Sequence, residues 1–316
     1  MRIVFMGTPE FAVPSLEHLV LNQHQVAAVY TPPDSRAGRG RTPVSSPVKR
    51  SAIKLGLTVI QPVSFKSREA VAELAALKPD VIVVAGFGQI LPQPVLDIPA
   101  GGCLNIHPSL LPKFRGASPV AAAILAGDGF SGLSIMLMDA GLDTGPVLLQ
   151  AQVAVSLKDT AGSLTDKLSL ISAHLLLDVL PRWDSGELLP RHQDESQSSY
   201  TKLLTRQEGE IDWHLPAVDI WRKVRAFQPW PGCFTGWQGK QLKIIEAVPL
   251  PGENKIKPGQ VVTLNREGPV IGVGTGEGIL AVLKVQLEGK RAMSVAEFLP
   301  GQPQLIGAML PSDKTL

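Results

Sequence analysis

An unbroken apolar run at residues 81–85, directly after Asp80, constrains the fold of this chain more than any other segment. Its sequence is VIVVA, and β-branched side chains of this kind favour extended backbone. A run without polar alternation is typical of a strand that is buried on both faces, as strands are in a parallel sheet. The segment therefore predicts a central strand of an α/β domain.

Shorter apolar segments around this run alternate with segments of helical periodicity. Strands are predicted at residues 3–6, 26–30, 58–61, 80–85, 102–106 and 133–138. Helices are predicted at residues 14–21, 49–54, 67–77 and 119–126. This order indicates the α/β class, with a Rossmann-like, doubly wound and mostly parallel sheet. Such sheets bind their ligands beyond the C-terminal ends of the strands.

The character of the chain changes near residue 181. Residues 181–205 are polar and rich in turn formers, and we interpret them as a linker between a first domain at 1–180 and a second at 206–316. The second domain has a predicted helix at 218–226 and five predicted strands, at residues 234–238, 241–247, 259–264, 269–274 and 279–286. Five short strands separated by turns predict a small, OB-like β-barrel.

Composition and spacing exclude several classes of function. The 316 residues carry a net charge of +2, which is too small to indicate a nucleic-acid binder. Cys103 and Cys233 form no redox or metal motif, and the histidines lack zinc-ligand spacing, so we expect no metal. The glycines after the first strand lack the dinucleotide-binding spacing. The chain enters a strand at residue 3, and no apolar run reaches the ~20 residues that cross a bilayer, so we expect a cytoplasmic protein.

One segment is locally basic. Residues 31–50 contain five cationic side chains and one anionic side chain, which leaves an excess of +4. A segment of this kind is usually a solvated surface loop. The alternative is a loop that binds phosphate groups. The residues alone favour the solvated loop.

An amide, an imidazole and a carboxylate lie in two turn-rich segments, each of which follows a predicted strand. Asn105 and His107 are two residues apart, so extended backbone places both side chains on one face. A returning strand that ends near Asp143 places a carboxylate beside the imidazole. Together these groups can stabilise an oxyanion, transfer a proton and orient the base. The alternative is that they are ordinary turn formers and a structural histidine.

The residues around this trio resemble the folate-dependent formyltransferase superfamily. The matching motifs are Asn105-Ile106-His107 with Ser109-Leu110-Leu111-Pro112, and Gly141-Leu142-Asp143-Thr144-Gly145. The resemblance implies that 10-formyltetrahydrofolate donates a formyl group to an amine and that Asn105, His107 and Asp143 are catalytic. Asn105 would donate to the oxyanion and His107 would relay the proton. Asp143 would orient the imidazole and favour its cationic form.

The resemblance also assigns the folate pocket to three loops. Their residues are Phe87, Gly88, Gln89, Ile90 and Leu91 in the first loop, Ser109, Leu110, Leu111 and Pro112 in the second, and Asp139, Ala140, Gly141 and Leu142 in the third. From the residues alone, the second loop is equally well explained as hydrophobic anchoring of a turn.

Three further segments are similar to the methionyl-tRNA formyltransferases, and this resemblance extends over nearly the whole chain. They read FMGTPEFA at 5–12, PDSRAGRGR at 33–41 and VRAFQPWPG at 224–232. The resemblance implies that the acceptor is initiator methionyl-tRNA and that the second domain supplies tRNA affinity. It also implies that the basic loop reaches into the acceptor stem, through Arg36, Arg39 and above all Arg41.

Two alternatives stay open at this stage. The first is a formyltransferase that acts on a small amine, either glycinamide ribonucleotide or an amino sugar nucleotide, but that activity does not require the second domain or the basic loop. The second is a tRNA-binding or single-strand-binding module with a degenerate first domain. The intact Asn105, His107 and Asp143 argue against that alternative.

Overall fold

The computed structural model describes residues 1–37, 42–251, 256–266 and 268–311. Within these ranges, only the backbone is described for residues 35–37, 42–43, 265–266 and 268–270. The chain divides into two compact units. Unit 1 comprises Met1–Pro119, Phe130–Ala154 and Thr165–Thr201, and unit 2 comprises Val120–Gly129, Val155–Leu164 and Lys202–Leu316.

Strands and helices alternate through the first 201 residues. The strands are β1 (Arg2–Gly7), β2 (Gln25–Tyr30), β3 (Ser35–Ala37), β4 (Thr42–Val44), β5 (Val59–Ile60), β6 (Val81–Ala85), β7 (Cys103–His107), β8 (Arg115–Gly116), β9 (Phe130–Leu137), β10 (Val147–Ala154) and β11 (Tyr200–Thr201). The helices are α1 (Val13–Leu21), α2 (Pro47–Lys54), α3 (Arg68–Ala76), α4 (Gln93–Leu96), α5 (Pro119–Ala126) and α6 (Ala161–Asp184).

Seven strands form the sheet of unit 1, in the order β10-β9-β7-β6-β1-β2-β5. Strands β5, β2, β1, β6 and β7 pair in parallel, whereas β9 runs antiparallel to both β7 and β10. The apolar run at 81–85 is β6, which lies in the middle of the sheet with all five residues buried. These pairings confirm the predicted α/β fold with a mostly parallel sheet.

One face of this sheet carries the core that supports the candidate site. Alternate residues of β1, β2 and β6 point to the same side, because successive side chains of a strand point to opposite faces. They form a buried cluster with side chains from the loops and helices that cover this face. The cluster includes Val4, Met6, Ala28, Tyr30, Ile82 and Val84 from the strands and Phe65, Leu74, Phe87 and Leu91 from the covering segments.

Unit 2 contains a helix and an antiparallel sheet, and the predicted helix at 218–226 and the five predicted strands are present in it. Its elements are α7 (Ala217–Ala226), β12 (Cys233–Trp237), β13 (Lys240–Leu250), β14 (Val261–Arg266), β15 (Gly268–Gly274), β16 (Ile279–Leu287), β17 (Met293–Ser294) and α8 (Val295–Phe298). The strand order is β12-β13-β16-β15-β14, and β17 pairs with β16. Trp213 is fully buried in this unit, and its indole N–H points at the Thr235 hydroxyl oxygen.

Two long elements are absent from the predictions. Strand β10 pairs antiparallel with β9 at the edge of the sheet. Helix α6 has 24 residues and buries leucines at helical spacing, including Leu164, Leu168 and Leu176, so its signal was present in the sequence. Despite its length, neither α6 nor any other described helix is apolar enough to cross a membrane.

The interval predicted as a linker, residues 181–205, begins inside α6 and belongs to unit 1 as far as Thr201. Arg191 forms an antiparallel bridge with Val147, and β11 pairs in parallel with β8. Its backbone therefore pairs with two other segments of unit 1. The domain limits at 180 and 206 stay a prediction.

Candidate active site

Strand β7 places Asn105 and His107 on one face of the sheet. Parallel pairing with β6 sets Asn105 opposite Val84, and antiparallel pairing with β9 sets His107 opposite Ser134. Because β7 lies between two other strands, its backbone is fixed on both sides. Asn105 is half-buried, whereas His107 is buried.

Asp143 lies in the loop at 138–146 that joins β9 to β10. Its backbone has φ +53°, the left-handed region, which aspartate tolerates better than most residues. The loop is organised by Asp139, whose Oδ1 accepts hydrogen bonds from the Gly141 N–H (2.9 Å) and from the Thr144 hydroxyl (2.7 Å). A Cβ at Gly141 would lie 2.0 Å from Thr144 Oγ1, so this turn excludes a side chain there. The Asp139 carboxylate thus shapes the loop that carries Asp143.

The Asp143 carboxylate joins the three residues of the trio. Its Oδ1 accepts a hydrogen bond from Asn105 Nδ2 at 3.1 Å, and its Oδ2 lies 3.6 Å from His107 Nδ1. Oδ2 also accepts a hydrogen bond from the Gly116 N–H at 2.8 Å. The His107 and Asp143 side chains are only 5% and 13% exposed. The predicted assembly of Asn105, His107 and Asp143 is therefore present in the described structure.

The backbone of Phe114 determines which edge of the imidazole faces the carboxylate. His107 Nε2 lies 3.0 Å from the Phe114 carbonyl oxygen. A carbonyl only accepts hydrogen bonds, so Nε2 carries a proton and donates it there. The second nitrogen, Nδ1, faces Asp143. The Phe114 carbonyl and the Gly116 N–H are backbone groups, and nothing in the sequence marks them as parts of a site.

The second predicted folate loop, Ser109 to Pro112, is held from within unit 1. Ser109 is buried and its hydroxyl donates to the Lys113 carbonyl oxygen at 2.6 Å, so this side chain is engaged by its own turn. The Ser134 hydroxyl donates to the Ser109 carbonyl oxygen (2.7 Å) and accepts from the Leu111 N–H (3.0 Å). Leu111 is buried, whereas Leu110 and Pro112 are half-buried. The loop is a fixed turn with an apolar edge.

The first folate loop presents both buried and exposed side chains, whereas the four residues of the third loop are all exposed. Phe87 and Leu91 lie in the core cluster, and the Phe87 ring centroid is 6.1 Å from that of Phe65. Ile90 is 92% exposed in the first loop, and Leu142 is 58% exposed in the third. These two apolar side chains are available to a ligand, whereas Phe87 and Leu91 support the fold beneath it.

The remaining residues of these loops are polar or lack large side chains. The amide of Gln89 donates to the Pro62 carbonyl oxygen at 3.1 Å, which ties the first loop to its neighbour. Gly88 has φ +82° and is exposed, as are Ala140 and Gly141.

The basic segment is described in part. Arg39 and Arg41 lie outside the described residues, and Arg36 is described only as backbone in β3. Lys49 binds Asp34 at 2.8 Å and Gln61 at 2.7 Å, so one of the five cations stabilises the base of the loop. The hydrogen bond from Lys49 holds the pKa of Asp34 below its usual value.

Metal ligands are not clustered in the described part of the chain. There, no group of three or more His, Cys, Asp or Glu side chains is placed to hold a metal ion.

Comparison with known protein families decides the assignment. The formyl transferase family matches residues 1–180, and the formyl transferase C-terminal domain matches residues 203–303. The chain belongs to the formyl transferase family. This confirms the resemblance inferred from the motifs around Asn105 and Asp143.

Named relatives match this chain along its whole length. A methionyl-tRNA formyltransferase of Dehalococcoides mccartyi is 50% identical over 310 residues, which are 98% of each chain. One from Marinobacter nauticus is 44% identical over 306 residues, which are 97% of this chain and 98% of the relative.

Solved structures of lower identity share the fold. The N-formyltransferase of Helicobacter canadensis, in complex with folinic acid and dTDP-3-aminofucose, superposes with a TM-score of 0.66 at 19% identity, over 89% of this chain and 97% of that one. HypX of Aquifex aeolicus, in complex with tetrahydrofolic acid, has a TM-score of 0.62 at 20% identity, over 95% of this chain and 47% of that one.

Proposed function

We propose that this protein transfers the formyl group of 10-formyltetrahydrofolate to the α-amine of initiator methionyl-tRNA. The observation that carries the proposal is the identity of 50% and 44% to enzymes named methionyl-tRNA formyltransferase, over 98% and 97% of this chain. Both relatives match the second domain as well as the first. The product, N-formylmethionyl-tRNA, serves translation initiation, so we place the reaction in the cytoplasm.

The candidate site provides the groups that this reaction needs. The acceptor amine attacks the formyl carbon, a new N–C bond forms, and the carbonyl oxygen becomes a tetrahedral oxyanion. Among the described residues, the Asn105 amide makes one hydrogen bond, to Asp143, so its second N–H is available for that oxygen. The oxyanion then reforms the carbonyl as the bond between the formyl carbon and the folate nitrogen breaks.

His107 and Asp143 act together in the proton transfer. The amine loses a proton as it becomes an amide, and the folate nitrogen gains one as it leaves. Since Nε2 of His107 donates to the Phe114 carbonyl, Nδ1 is the atom that takes up the transferred proton. Asp143 Oδ2, 3.6 Å away, stabilises the imidazolium that results.

The three predicted loops form the folate side of the proposed site. Ile90 and Leu142 are the exposed apolar side chains of the first and third loops, and they suit the flat ring system of the donor. The second loop, Ser109 to Pro112, is the fixed turn between His107 and β8, so a ring bound against it lies close to the trio. We assign the remaining residues of the three loops to the same pocket.

The acceptor side of the proposal rests on the basic loop and the second domain. Arg36, Arg39 and Arg41 would contact phosphates or base edges of the tRNA, and residues 206–316 would supply further tRNA affinity. Residues 1–180 would form the catalytic domain. An enzyme whose acceptor is a small amine does not need the basic loop.

The test is acceptor selection. The purified full-length chain is incubated with 10-formyltetrahydrofolate and one of three acceptors: methionyl-tRNA, glycinamide ribonucleotide or an amino sugar nucleotide. Formylation is followed by mass spectrometry and by release of tetrahydrofolate. We expect rapid formylation of methionyl-tRNA alone. Faster formylation of either small amine would overturn the proposed acceptor while leaving the formyl-transfer chemistry intact.

A further inference from the structure

Gln193 connects the backbone of the Asp143 loop to a buried arginine. Its Nε2 donates to the Asp143 carbonyl oxygen at 2.8 Å and to the Gly145 carbonyl oxygen at 2.7 Å. Its Oε1 accepts from Arg115 Nη2 at 2.9 Å and from Arg115 Nε at 3.1 Å. We propose that Gln193 is a positioning residue for Asp143 in formyl transfer. This inference rests on the proposed function, because it takes Asp143 to be catalytic.

Arg115 gives Gln193 a fixed anchor. The Arg115 side chain is fully buried, and its guanidinium forms a two-point ion pair with Glu195, at 2.7 and 2.9 Å. Arg115 Nη1 also donates to the Tyr200 hydroxyl at 2.9 Å, and the guanidinium lies 5.6 Å from the centre of the Tyr200 ring. A bidentate pair with a buried guanidinium restricts both groups geometrically. The Gln193 carboxamide is therefore held at its acceptor end and presents its N–H groups to the loop.

The backbone around Arg115 holds the other parts of the trio. The preceding carbonyl, that of Phe114, accepts from His107, and the following N–H, that of Gly116, donates to the Asp143 carboxylate. Three consecutive residues thus contact the imidazole, the Gln193 carboxamide and the Asp143 carboxylate. Their backbone is fixed in turn by the Ser199 carbonyl oxygen, which accepts from the Arg115 N–H at 2.8 Å.

Gln193 and the carboxylate contacts restrain different atoms of Asp143. Asn105 and Gly116 bind the carboxylate oxygens, whereas Gln193 binds the main-chain oxygens of Asp143 and Gly145. Without those bonds, the backbone at Asp143 and Gly145 loses two restraints while the carboxylate keeps its partners. The separation of 3.6 Å between Asp143 Oδ2 and His107 Nδ1 is longer than a normal hydrogen bond, so it is sensitive to such movement. A displacement of ~1 Å at a catalytic group costs up to ~100-fold in rate.

Two substitutions distinguish positioning from a merely structural role. Gln193→Ala removes the contacts on both sides. Gln193→Glu keeps oxygen acceptors for Arg115 but presents a carboxylate, which cannot donate, to the two loop carbonyls. Gln197→Ala is the matched control, because Gln197 is an exposed residue of the same segment whose amide donates to Asp194.

We expect Gln193→Ala and Gln193→Glu each to lower kcat by ~10-fold or more, because each releases the Asp143 loop. The KM values for both substrates should stay within about twofold of wild type, and Gln197→Ala should match wild type. Thermal unfolding checks that Gln193→Glu is folded, so the test does not depend on the alanine variant. Wild-type turnover of either Gln193 variant would overturn the proposal. Wild-type turnover of Gln193→Glu would mean that residue 193 only supplies a hydrogen-bond acceptor to Arg115.

The Asp143→Ala variant and the double variant separate this inference from the proposed function. If Gln193 acts through Asp143, adding Gln193→Ala to Asp143→Ala should lower the residual single-turnover rate by less than about twofold. A further tenfold loss in the double variant would show that Gln193 acts independently of Asp143 and overturn the positioning role. Wild-type activity of Asp143→Ala alone would instead remove the catalytic assignment of the site.

Discussion

Replacing Asp143 by asparagine tests the proposed chemistry with little change in shape. The carboxylate accepts from Asn105 and Gly116 and faces His107, and an asparagine retains one oxygen that can accept from one of these donors. What is lost is the negative charge beside Nδ1 of His107, together with one of the two accepted hydrogen bonds. The variant therefore tests stabilisation of the imidazolium that forms as the amine loses its proton, with most of the side-chain shape retained.

The magnitude follows from the partly buried geometry. Two opposite unit charges ~4 Å apart attract by roughly 1 kcal/mol in bulk water and roughly 4 kcal/mol near a protein surface, and each 1.36 kcal/mol of lost transition-state stabilisation lowers the rate tenfold. We therefore expect Asp143→Asn to lower kcat by ~10- to 100-fold with little change in either KM. Asp143→Ala, which also frees Asn105 and Gly116, should lower it by ~100-fold or more.

The assay is steady-state formylation of methionyl-tRNA at saturating 10-formyltetrahydrofolate, with thermal unfolding as the check on folding. Asp97→Asn is the control, because Asp97 is an exposed aspartate of unit 1 whose partner is Gln93. A folded Asp143→Asn variant that retained the kcat of Asp97→Asn would refute the charge argument and remove Asp143 from the mechanism.

Three further predictions concern other parts of unit 1. The first concerns the triple alanine variant of Arg36, Arg39 and Arg41, whose affinity for tRNA is measured across a salt titration. The log-log slope of tRNA affinity against salt concentration should become shallower by ~0.7 to 0.9 per lost phosphate contact, and folate affinity should stay unchanged. Identical slopes would make the loop a solvated surface. The hydrogen bond from Arg115 lowers the pKa of Glu195. The ion pair therefore stabilises the fold at pH values above the ordinary pKa of a glutamate, and this stabilisation is lost as the pH falls through the lowered pKa of Glu195. The difference in Tm between wild type and Glu195→Gln should therefore be larger at pH 7 than at pH 3, and an unchanged difference would contradict the linkage. Gly116→Ala should lower both Tm and kcat, because the Gly116 backbone has φ +101° and an added Cβ would lie 2.4 Å from the Thr201 carbonyl oxygen. The control is Gly129→Ala, which should change neither Tm nor kcat, because nothing lies within 4 Å of a Cβ at that position.

Much of unit 1 is readable from local sequence. The apolar run at 81–85 predicts β6 because burial on both faces of a sheet demands an unbroken apolar pattern. The two-residue spacing of Asn105 and His107 predicts their shared face for the same kind of reason, since the period of a strand is two. Both inferences depend only on neighbours in the chain.

The hydrogen bonds from Gln193 to the Asp143 loop could not be predicted in the same way. The segment that contains Gln193 and Glu195 is polar and rich in turn formers, a composition shared by linkers and by loops with specific hydrogen bonds. A loop with specific hydrogen bonds differs from a linker in having a hydrogen-bond partner elsewhere in the chain. The partner of Gln193 is Arg115, which lies 78 residues earlier. The proposed catalytic role of Asp143 itself came from a family motif, because a single aspartate in a turn is usually only a turn former.

The contacts of Gln193 also imply an order in which the proposed site is completed during synthesis. Asp143 leaves the ribosome well before Gln193, because Gln193 lies 50 residues further along the chain. At ~5–20 residues per second, that interval lasts ~2.5–10 s. A nascent chain therefore carries Asn105, His107 and Asp143 before it carries the residue that fixes the Asp143 loop, and full turnover in the proposed mechanism requires that the segment through Thr201 has folded onto β8.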